Sequence, residues 1–446
     1  MVQLVNISSA RFMSLEIHRS KSHFDQTGDL TPLVVTLSSE DKSQKIKGVD
    51  LTCIVDVSGS MSGDKIKLVK ESLKYLVKLM NEEDNLALIT FSSDAQVINE
   101  LTPMTPENKT VLLKNIDNLY AYGGTNIYPA LEKALDLIAH DYSTGERIAS
   151  IILLSDGQDN YSYNSLLGRF ENLLETTNKT NYAFTLHTFG YGEDHDEEIM
   201  LNLAKIQSGS FLFVNDLADV QDFYLKIYGS LSTICNVNLN LTIQSSYTIK
   251  NISGIDDLYK ASLSNKTDTN NKTILFSFNT VLIQVVSGKK YSYVVLVDIP
   301  KDTPFGTEVL NATVSPLGLN AKYLWDQKLN SIAYEEYIKN ISVTYFSIAF
   351  YRGVYSGRSI IEEGLKWITT NYIGTINWVE EFNAVLIDFD NYYSFGRANL
   401  LSKIYELKTS NIGIHYSIDN SYVNTIIDRS HNIDVSQLQV IRVEGE

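Results

Sequence analysis

The sequence predicts an α/β domain with a mostly parallel sheet, inserted in a β sandwich and followed by an α-helical C-terminal region. Three observations carry this reading. Between residues 49 and 235, short apolar runs alternate with stretches of helical periodicity; residues 1–48 and 236–320 hold strand patterns without helices; and from 321 to 412 the apolar spacing is helical again. The predicted segments are therefore 1–48, N-terminal strands of the sandwich; 49–235, the α/β domain; 236–320, the remainder of the sandwich; 321–412, a helical hairpin domain; and 413–446, an extended tail.

Residues 11–20 and 33–38 carry the alternating or β-branched apolar residues of strands, with Gln26-Thr-Gly28 as a turn between them. Two or three strands are too few for a core of their own, so they are expected to pair with the later β block. Ile66, Val69, Leu73, Leu76, Val77 and Met80 form one stripe, which predicts a surface helix over 65–80. Residues 86–91 and 148–154 read as buried strands, with a helix at 127–140 before the second. Strands at 182–189 and 209–214 flank a helix at 197–207. Strands alternating with helices in this way imply a parallel sheet covered on both faces. Val237-Asn-Leu-Asn-Leu-Thr-Ile243 then alternates strictly, and 274–283, 291–299 and 309–314 continue as strands of an antiparallel block. Ile332, Tyr337, Ile341, Tyr345 and Ile348, followed by 360–368 and 398–407, predict three helices packed as hairpins.

The chemistry-bearing pattern lies in three distant loops, two of them at strand ends. Leu51-Thr-Cys-Ile-Val-Asp-Val-Ser-Gly-Ser-Met61 contains Asp56, Ser58 and Ser60; Tyr122-Gly-Gly-Thr-Asn126 supplies Thr125 in a glycine turn; and Ile151-Ile-Leu-Leu-Ser-Asp-Gly157 delivers Asp156 where an apolar strand runs out. Mg²⁺ takes six oxygens in near-octahedral order and keeps several waters, so its protein sites use few carboxylates. Two carboxylates and three hydroxyls suit it and leave a position for an outside ligand. Gly59 and Gly63 permit the backbone to curl and aim the first three residues at one point. Any one of these elements alone would read as helix capping. In a mostly parallel sheet, ligands sit beyond the carboxyl ends of the strands, where Asp56 and Asp156 fall.

At these residues the chain resembles the von Willebrand factor A domain family, whose Rossmann-like fold carries a metal-ion-dependent adhesion site with this pattern. The resemblance implies that Ser58, Ser60 and Thr125 hold Mg²⁺, or Mn²⁺ or Ca²⁺ in its stead. Asp56 and Asp156 would act largely through bound water, and the open position would accept an Asp or Glu from a partner protein. Residues 149–159, 186–196 and 219–222 resemble the cytoplasmic branch containing the plant wavy-growth ubiquitin ligases. Those proteins carry a zinc-binding RING module before this region, for which this chain has no cysteines; the resemblance implies the architecture of an interaction scaffold without ligase activity.

Composition bounds the alternatives. The net charge of -16 over 446 residues, with no basic block, argues against a nucleic-acid partner. No apolar stretch reaches the roughly 20 residues that span a bilayer. The N-terminus shows neither a secretory signal nor a transit peptide, so an intracellular, cytoplasmic location is expected. Cys53 and Cys235 are the two cysteines, too few for a disulfide scaffold or a cysteine-based zinc module. Gly59-Ser-Met-Ser-Gly63 is no nucleophile elbow, because Met61 stands where the serine must be. His187, His195 and Asp196 are discounted as a second metal set.

The favoured function is a noncatalytic, metal-dependent protein-interaction scaffold. The alternatives are a structural component of a large intracellular assembly, cytoskeletal or ciliary, with a metal-stabilised A domain, and, ranked lower, a metal-dependent hydrolase, for which no general base or phosphate-binding lysine is evident near the loops.

Overall fold

In the computed structural model, strands β1 (Met13–Arg19) and β2 (Leu30–Ser39) form an antiparallel pair, Met13 opposite Ser39 and Arg19 opposite Leu33. The structure describes residues 13–20, 30–39, 48–138, 147–157, 159, 165–177, 183–192, 195–214, 224–225, 227–229, 231, 234–253, 276–288, 290–300, 302–326, 328–372, 374–390, 396, 399–400, 403–404 and 407. The expected turn at Gln26-Thr-Gly28 and the tail 413–446 lie outside them. The described residues fall into two compact units, one between Gln44 and Ile234 and the other combining β1 and β2 with the chain after Cys235.

The first unit begins with β3 (Val49–Asp56), buried along its whole length, and a single 3-10 turn at Gly59–Met61 leads into α1 (Asp64–Leu79). Then follow β4 (Asn85–Phe91), β5 (Ala95–Pro103), α2 (Pro106–Asp117), α3 (Tyr128–Leu137), β6 (Ile148–Ser155), α4 (Leu166–Thr176), β7 (Phe184–Tyr191), α5 (Glu197–Ile206) and β8 (Phe211–Val214). The strand order is β5-β4-β3-β6-β7-β8; β5 runs antiparallel to β4, and β4–β3, β3–β6, β6–β7 and β7–β8 pair in parallel. The chain leaves β3 toward β4 and later returns to its other side as β6. The crevice outside the carboxyl ends of β3 and β6 is therefore the topological switch point of the sheet.

Three elements of this unit are additional to those predicted from the sequence. β5 mixes half-buried and exposed positions without regular alternation, and Gln96, Asn99 and Glu100 interrupt its apolar residues. α2 buries only Leu112 and Ile116, so its apolar stripe is thin; it starts where Thr105 accepts a hydrogen bond from the Asn108 amide, with Pro106 in the first turn. α4 buries Leu166, Phe170, Leu173 and Leu174.

At the amino ends of these strands a polar clasp closes the sheet. Asp84 accepts hydrogen bonds from the amides of Val49 and Asn81, each at 2.9 Å, and from the Tyr228 hydroxyl. Arg147 binds Asp50 and the Glu83 carbonyl.

In the second unit, β9 (Ile234–Ser245), β10 (Thr248–Ser253), β11 (Phe276–Val286), β12 (Lys290–Asp298), β13 (Glu308–Ser315) and β14 (Leu319–Leu324) join β1 and β2 in two four-stranded sheets, ordered β1-β2-β12-β10 and β11-β9-β13-β14. Leu33, Val35 and Leu37 of β2, Val295 and Val297 of β12, Leu239, Leu241 and Ile243 of β9, and Leu310, Ala312 and Val314 of β13 meet in one hydrophobic cluster. Their two-residue spacing places each set on one face of its strand. On the opposite face Val34 and Val294 pack against Ala333 and Tyr337. The run Leu33-Val34-Val35 is continuously apolar because both of its faces are covered.

Ala333 and Tyr337 belong to α6 (Ser331–Asn371), followed by α7 (Trp378–Asp390). A straight helix of α6's length would separate its ends by about 60 Å. Yet the Tyr372 hydroxyl donates to Glu335 at 2.6 Å, and Gly364 lies against Tyr345. The 331–371 helix therefore doubles back between Ala349 and Gly357, giving two antiparallel arms, whose positions match the first two helices expected from the sequence. The third expected helix, at 398–407, falls mostly outside the described residues, whereas α7 is additional.

Two glycines on the returning arm let α7 approach. A Cβ on Gly364 would stand 2.4 Å from the Phe382 ring, and one on Gly357 2.8 Å from Phe389. Both pairs are seven residues apart, so each phenylalanine of α7 seats on one glycine. Gly364→Ala is expected to destabilise this unit by about 1–3 kcal/mol, and Phe382→Leu in the same chain to recover part of the loss. All three tryptophans, Trp325, Trp367 and Trp378, lie in this unit, so urea titration followed by tryptophan emission reads it; an unchanged midpoint in Gly364→Ala would contradict the packing.

Candidate metal centre

β3 ends on Asp56, which has no exposed surface. One oxygen, Oδ1, accepts the Ser58 amide at 2.8 Å, folding the loop back on the carboxylate, and the other accepts the Ser155 hydroxyl at 2.5 Å. Ser155 in turn accepts the Gly157 amide at 2.9 Å. Ser155 thereby ties the end of β6 to the end of β3. The Ser58 and Ser60 hydroxyl oxygens stand 3.0 Å apart, Ser58 buried and Ser60 exposed. Met61 is fully buried beneath the 3-10 turn and anchors it, and Gly63, at φ +79°, takes the left-handed turn that starts α1.

The loop of residues 118–127 is stitched to this one. The Tyr122 amide donates to the Val57 carbonyl at 2.7 Å and the Gly59 amide to the Gly123 carbonyl at 3.0 Å. A Cβ on Gly59 would meet that carbonyl at 3.2 Å, so the close approach of the two loops favours glycine there. Gly124 and Asn126 donate backbone amides to Ser93 Oγ and the Ser92 carbonyl, fixing the loop from its other side. Between these anchors lies Thr125, 3% exposed.

Asp156 follows Ser155 and is likewise without exposed surface. Its carbonyl accepts the Asp196 amide at 2.8 Å, holding the third loop against the start of α5. Oδ2 lies 3.3 Å from Lys65 Nζ, while Oδ1 is buried with no hydrogen-bond partner in the protein. A buried carboxylate oxygen left this way carries an unmet demand for a donor or a cation. Asp56 answers to the same field. Burial pushes its carboxyl up to about 6, against the pull of the Ser155 and Ser58 hydrogen bonds, and the charge of Asp156 adds to the rise.

The donor set fits a small hard cation. Adjacent ligands in an octahedron at Mg–O of about 2.0–2.1 Å are about 2.9 Å apart, close to the 3.0 Å between Ser58 Oγ and Ser60 Oγ. Ser58, Ser60 and Thr125 would offer neutral oxygens, and Asp56 and Asp156 the compensating charge. Among the described residues no group of three or more His, Cys, Asp or Glu converges; this candidate centre would offer three hydroxyls beside its two carboxylates.

Two residues of the centre are missing from the sequence reading. Ser155 reads there only as the end of a strand, although the Ser-Asp-Gly run is a local signal. Lys65 reads as a helix residue, and the structure places its ammonium 3.3 Å from Asp156 Oδ2 from the first turn of α1. The histidines take separate roles. His187 accepts the Ser210 amide and meets Thr185 Oγ1 at 3.1 Å; His195 contacts the Gly192 carbonyl through Nδ1 and stacks on Phe213.

Comparison with known proteins decides the family of this unit: the model of the von Willebrand factor type A domain matches residues 50–226. Those residues are a von Willebrand factor type A domain. The A domain is similar to the Escherichia coli protein YfbK (29% identity over 187 residues, 42% of this chain and 32% of that one) and to sll0103 of Synechocystis (24% over 214 residues, 48% of each). Human inter-alpha-trypsin inhibitor heavy chain H3 is 29% identical over 189 residues, 41% of this chain and 20% of that protein. The chain thus spans half or less of the length of these relatives. Among solved structures, a von Willebrand factor type A protein from Catenulispora acidiphila superposes with a TM-score of 0.64 at 14% identity, over 90% of this chain and 97% of that one. The ArnB paralog VWA2 from Sulfolobus acidocaldarius gives 0.52 at 18%, over 89% and 98%. At these identities the likeness is one of fold.

The raised Asp56 carboxyl sets a pH dependence. Between about pH 4 and 6 the ion-free folded state binds more protons than the unfolded chain, so stability falls as pH rises through that window. In chelator at pH 7.5, Asp56→Asn is expected to stabilise the A domain by on the order of 2–3 kcal/mol and to flatten this slope. Hydrogen exchange at the amides of β3 and β6 measures it in the unit concerned; slower exchange in the wild type than in the variant would contradict the assignment.

Proposed function

We propose that the protein is a noncatalytic scaffold that binds a partner protein through a divalent cation, Mg²⁺ first, held at Asp56, Ser58, Ser60, Thr125 and Asp156. The observation that carries the reading is the unpartnered, fully buried Asp156 Oδ1 beside a second buried carboxylate and a pair of hydroxyls at ligand spacing. When bound, the ion would supply a Lewis-acidic position for a carboxylate from outside. The chain's own residues do the rest: the hydroxyls present neutral oxygens, the two aspartates balance the charge, and Lys65 engages the Asp156 oxygen that points to α1. An acidic partner group can then bind a chain of net charge -16, because the ion inverts the local field.

In this reading the A domain is an insertion in a β sandwich, and the sandwich with its C-terminal helices serves as the frame of an intracellular scaffold. The family match and the inter-alpha-trypsin inhibitor heavy chains among the relatives support an interaction role. The resemblance to the cytoplasmic branch supports the architecture and not its ligase activity. No described helix is long and apolar enough to cross a membrane.

Calorimetric titration with MgCl₂ tests the reading. Asp156→Ala and Thr125→Ala are expected to weaken binding at least about tenfold. Capture of partners by the wild type is expected to vanish in chelator and in Asp56→Ala; the same partners retained in every condition would overturn the proposal.

A further inference from the structure

We propose that the cleft lined by Phe305, Trp325 and Leu329, with Arg19 at its side, binds the free C-terminal carboxylate of a partner polypeptide that ends on an aromatic or large aliphatic residue. The site lies wholly in the second unit, goes beyond the function proposed above and needs no ion.

The cleft has a volume of about 470 Å³, the size of a ligand site. Its walls come from three segments that the backbone pins together. Arg19 ends β1, and its carbonyl accepts the Asn330 amide at 2.9 Å, just before α6 begins. Trp325 follows β14; its amide donates to the Thr307 carbonyl at 2.8 Å and its carbonyl accepts the Gly306 amide at 3.0 Å. Thr307 in turn closes onto the Pro304 carbonyl through its amide and its hydroxyl, at 3.2 and 2.7 Å. The wall of Pro304 and Phe305 therefore stands in a fixed relation to Trp325. Phe305 is 68% exposed and Leu329 55%. A single exposed apolar side chain is ordinary; two lining one cleft with a tryptophan form a patch that a partner can cover.

The polar side of the cleft is the Arg19 guanidinium, 4.6 Å from the centroid of the Trp325 ring. Nη1 donates to the Asp326 carbonyl at 2.8 Å, and Nε is buried with no hydrogen-bond partner. The Asp326 carboxylate turns instead to the Tyr323 hydroxyl and the Lys328 amide, at 2.8 and 3.1 Å. Among the described residues no carboxylate pairs with Arg19, and Nη2 is left without a hydrogen bond. A half-buried cation in this state carries an unmet demand for an anion, which a carboxylate answers in charge-assisted bonds. Asp302, exposed and lining the same cleft, repels a second negative charge. The occupant therefore carries one carboxylate on an apolar body. Phe305 and Leu329 protrude into solvent rather than close over the cleft, so that body keeps an open side. Small organic acids are held with most of their surface buried, whereas a polypeptide terminus leaves its chain at such an opening.

The test uses random heptapeptides displayed with a free C-terminus and selected on the full chain in chelator. Phe, Trp, Leu and Ile are expected to be enriched at the last position. A synthetic peptide from that pool is expected to bind about tenfold more tightly as the free acid than as its C-terminal amide. Arg19→Gln should bring this ratio to about one. Phe305→Ser should weaken acid and amide alike by about fivefold and leave their ratio unchanged, with thermal melting confirming that both variants are folded. Equal binding of acid and amide to the wild type, an acid preference that survives Arg19→Gln, or selection with no apolar bias at the last residue overturns the site. Displacement of the peptide by 3-phenylpropanoate at the peptide's own affinity overturns the assignment to a polypeptide terminus.

Discussion

Two aspartates with no exposed surface, Asp56 and Asp156, end neighbouring parallel strands of one sheet, and the order of the A domain's upper loops follows from holding them there. Burying like charges side by side is costly, and the fold offsets the cost with directed donors: the Ser58 amide and Ser155 hydroxyl on Asp56, and the Lys65 ammonium on Asp156. These contacts leave Asp156 Oδ1 unanswered.

The sheet order explains why the strain collects at this point. β3 is central, and the chain passes to β4 on one side and to β6 on the other, which opens a crevice at their carboxyl ends. The loop after α2 closes it from the side through backbone bonds to Val57 and Gly59, and glycines at 59, 123 and 157 admit the close approaches and positive φ angles that this requires. Short side chains on the curled backbone leave the Ser58 and Ser60 hydroxyl oxygens 3.0 Å apart.

How much of this is legible in the sequence differs from residue to residue. Asp56, Ser58, Ser60 and Asp156 are readable as candidates because they sit in short local patterns where β3 and β6 end, and Thr125 because it sits in a glycine turn between α2 and α3. Ser155 and Lys65 escape because their roles are made through space, across 99 and 91 residues. The buried parallel strands are legible as continuous apolar runs. β5 and α2 are not, since a half-exposed edge strand and a thinly amphipathic helix carry little periodicity. In the second unit, the spacing of apolar residues marks both arms of α6, but only the contacts of Glu335 with Tyr372 and of Tyr345 with Gly364 reveal that a continuous helical run turns back on itself.

The central claim is that these three loops form a divalent-cation site, and anomalous diffraction from crystals of the full chain soaked in MnCl₂ tests it most directly. The account predicts one manganese peak bonded to the hydroxyl oxygens of Ser58 and Ser60, beside Thr125 and within the reach of Asp56 and Asp156. Crystals that hold no manganese at these loops at saturating concentration, or that bind it only elsewhere, would contradict it.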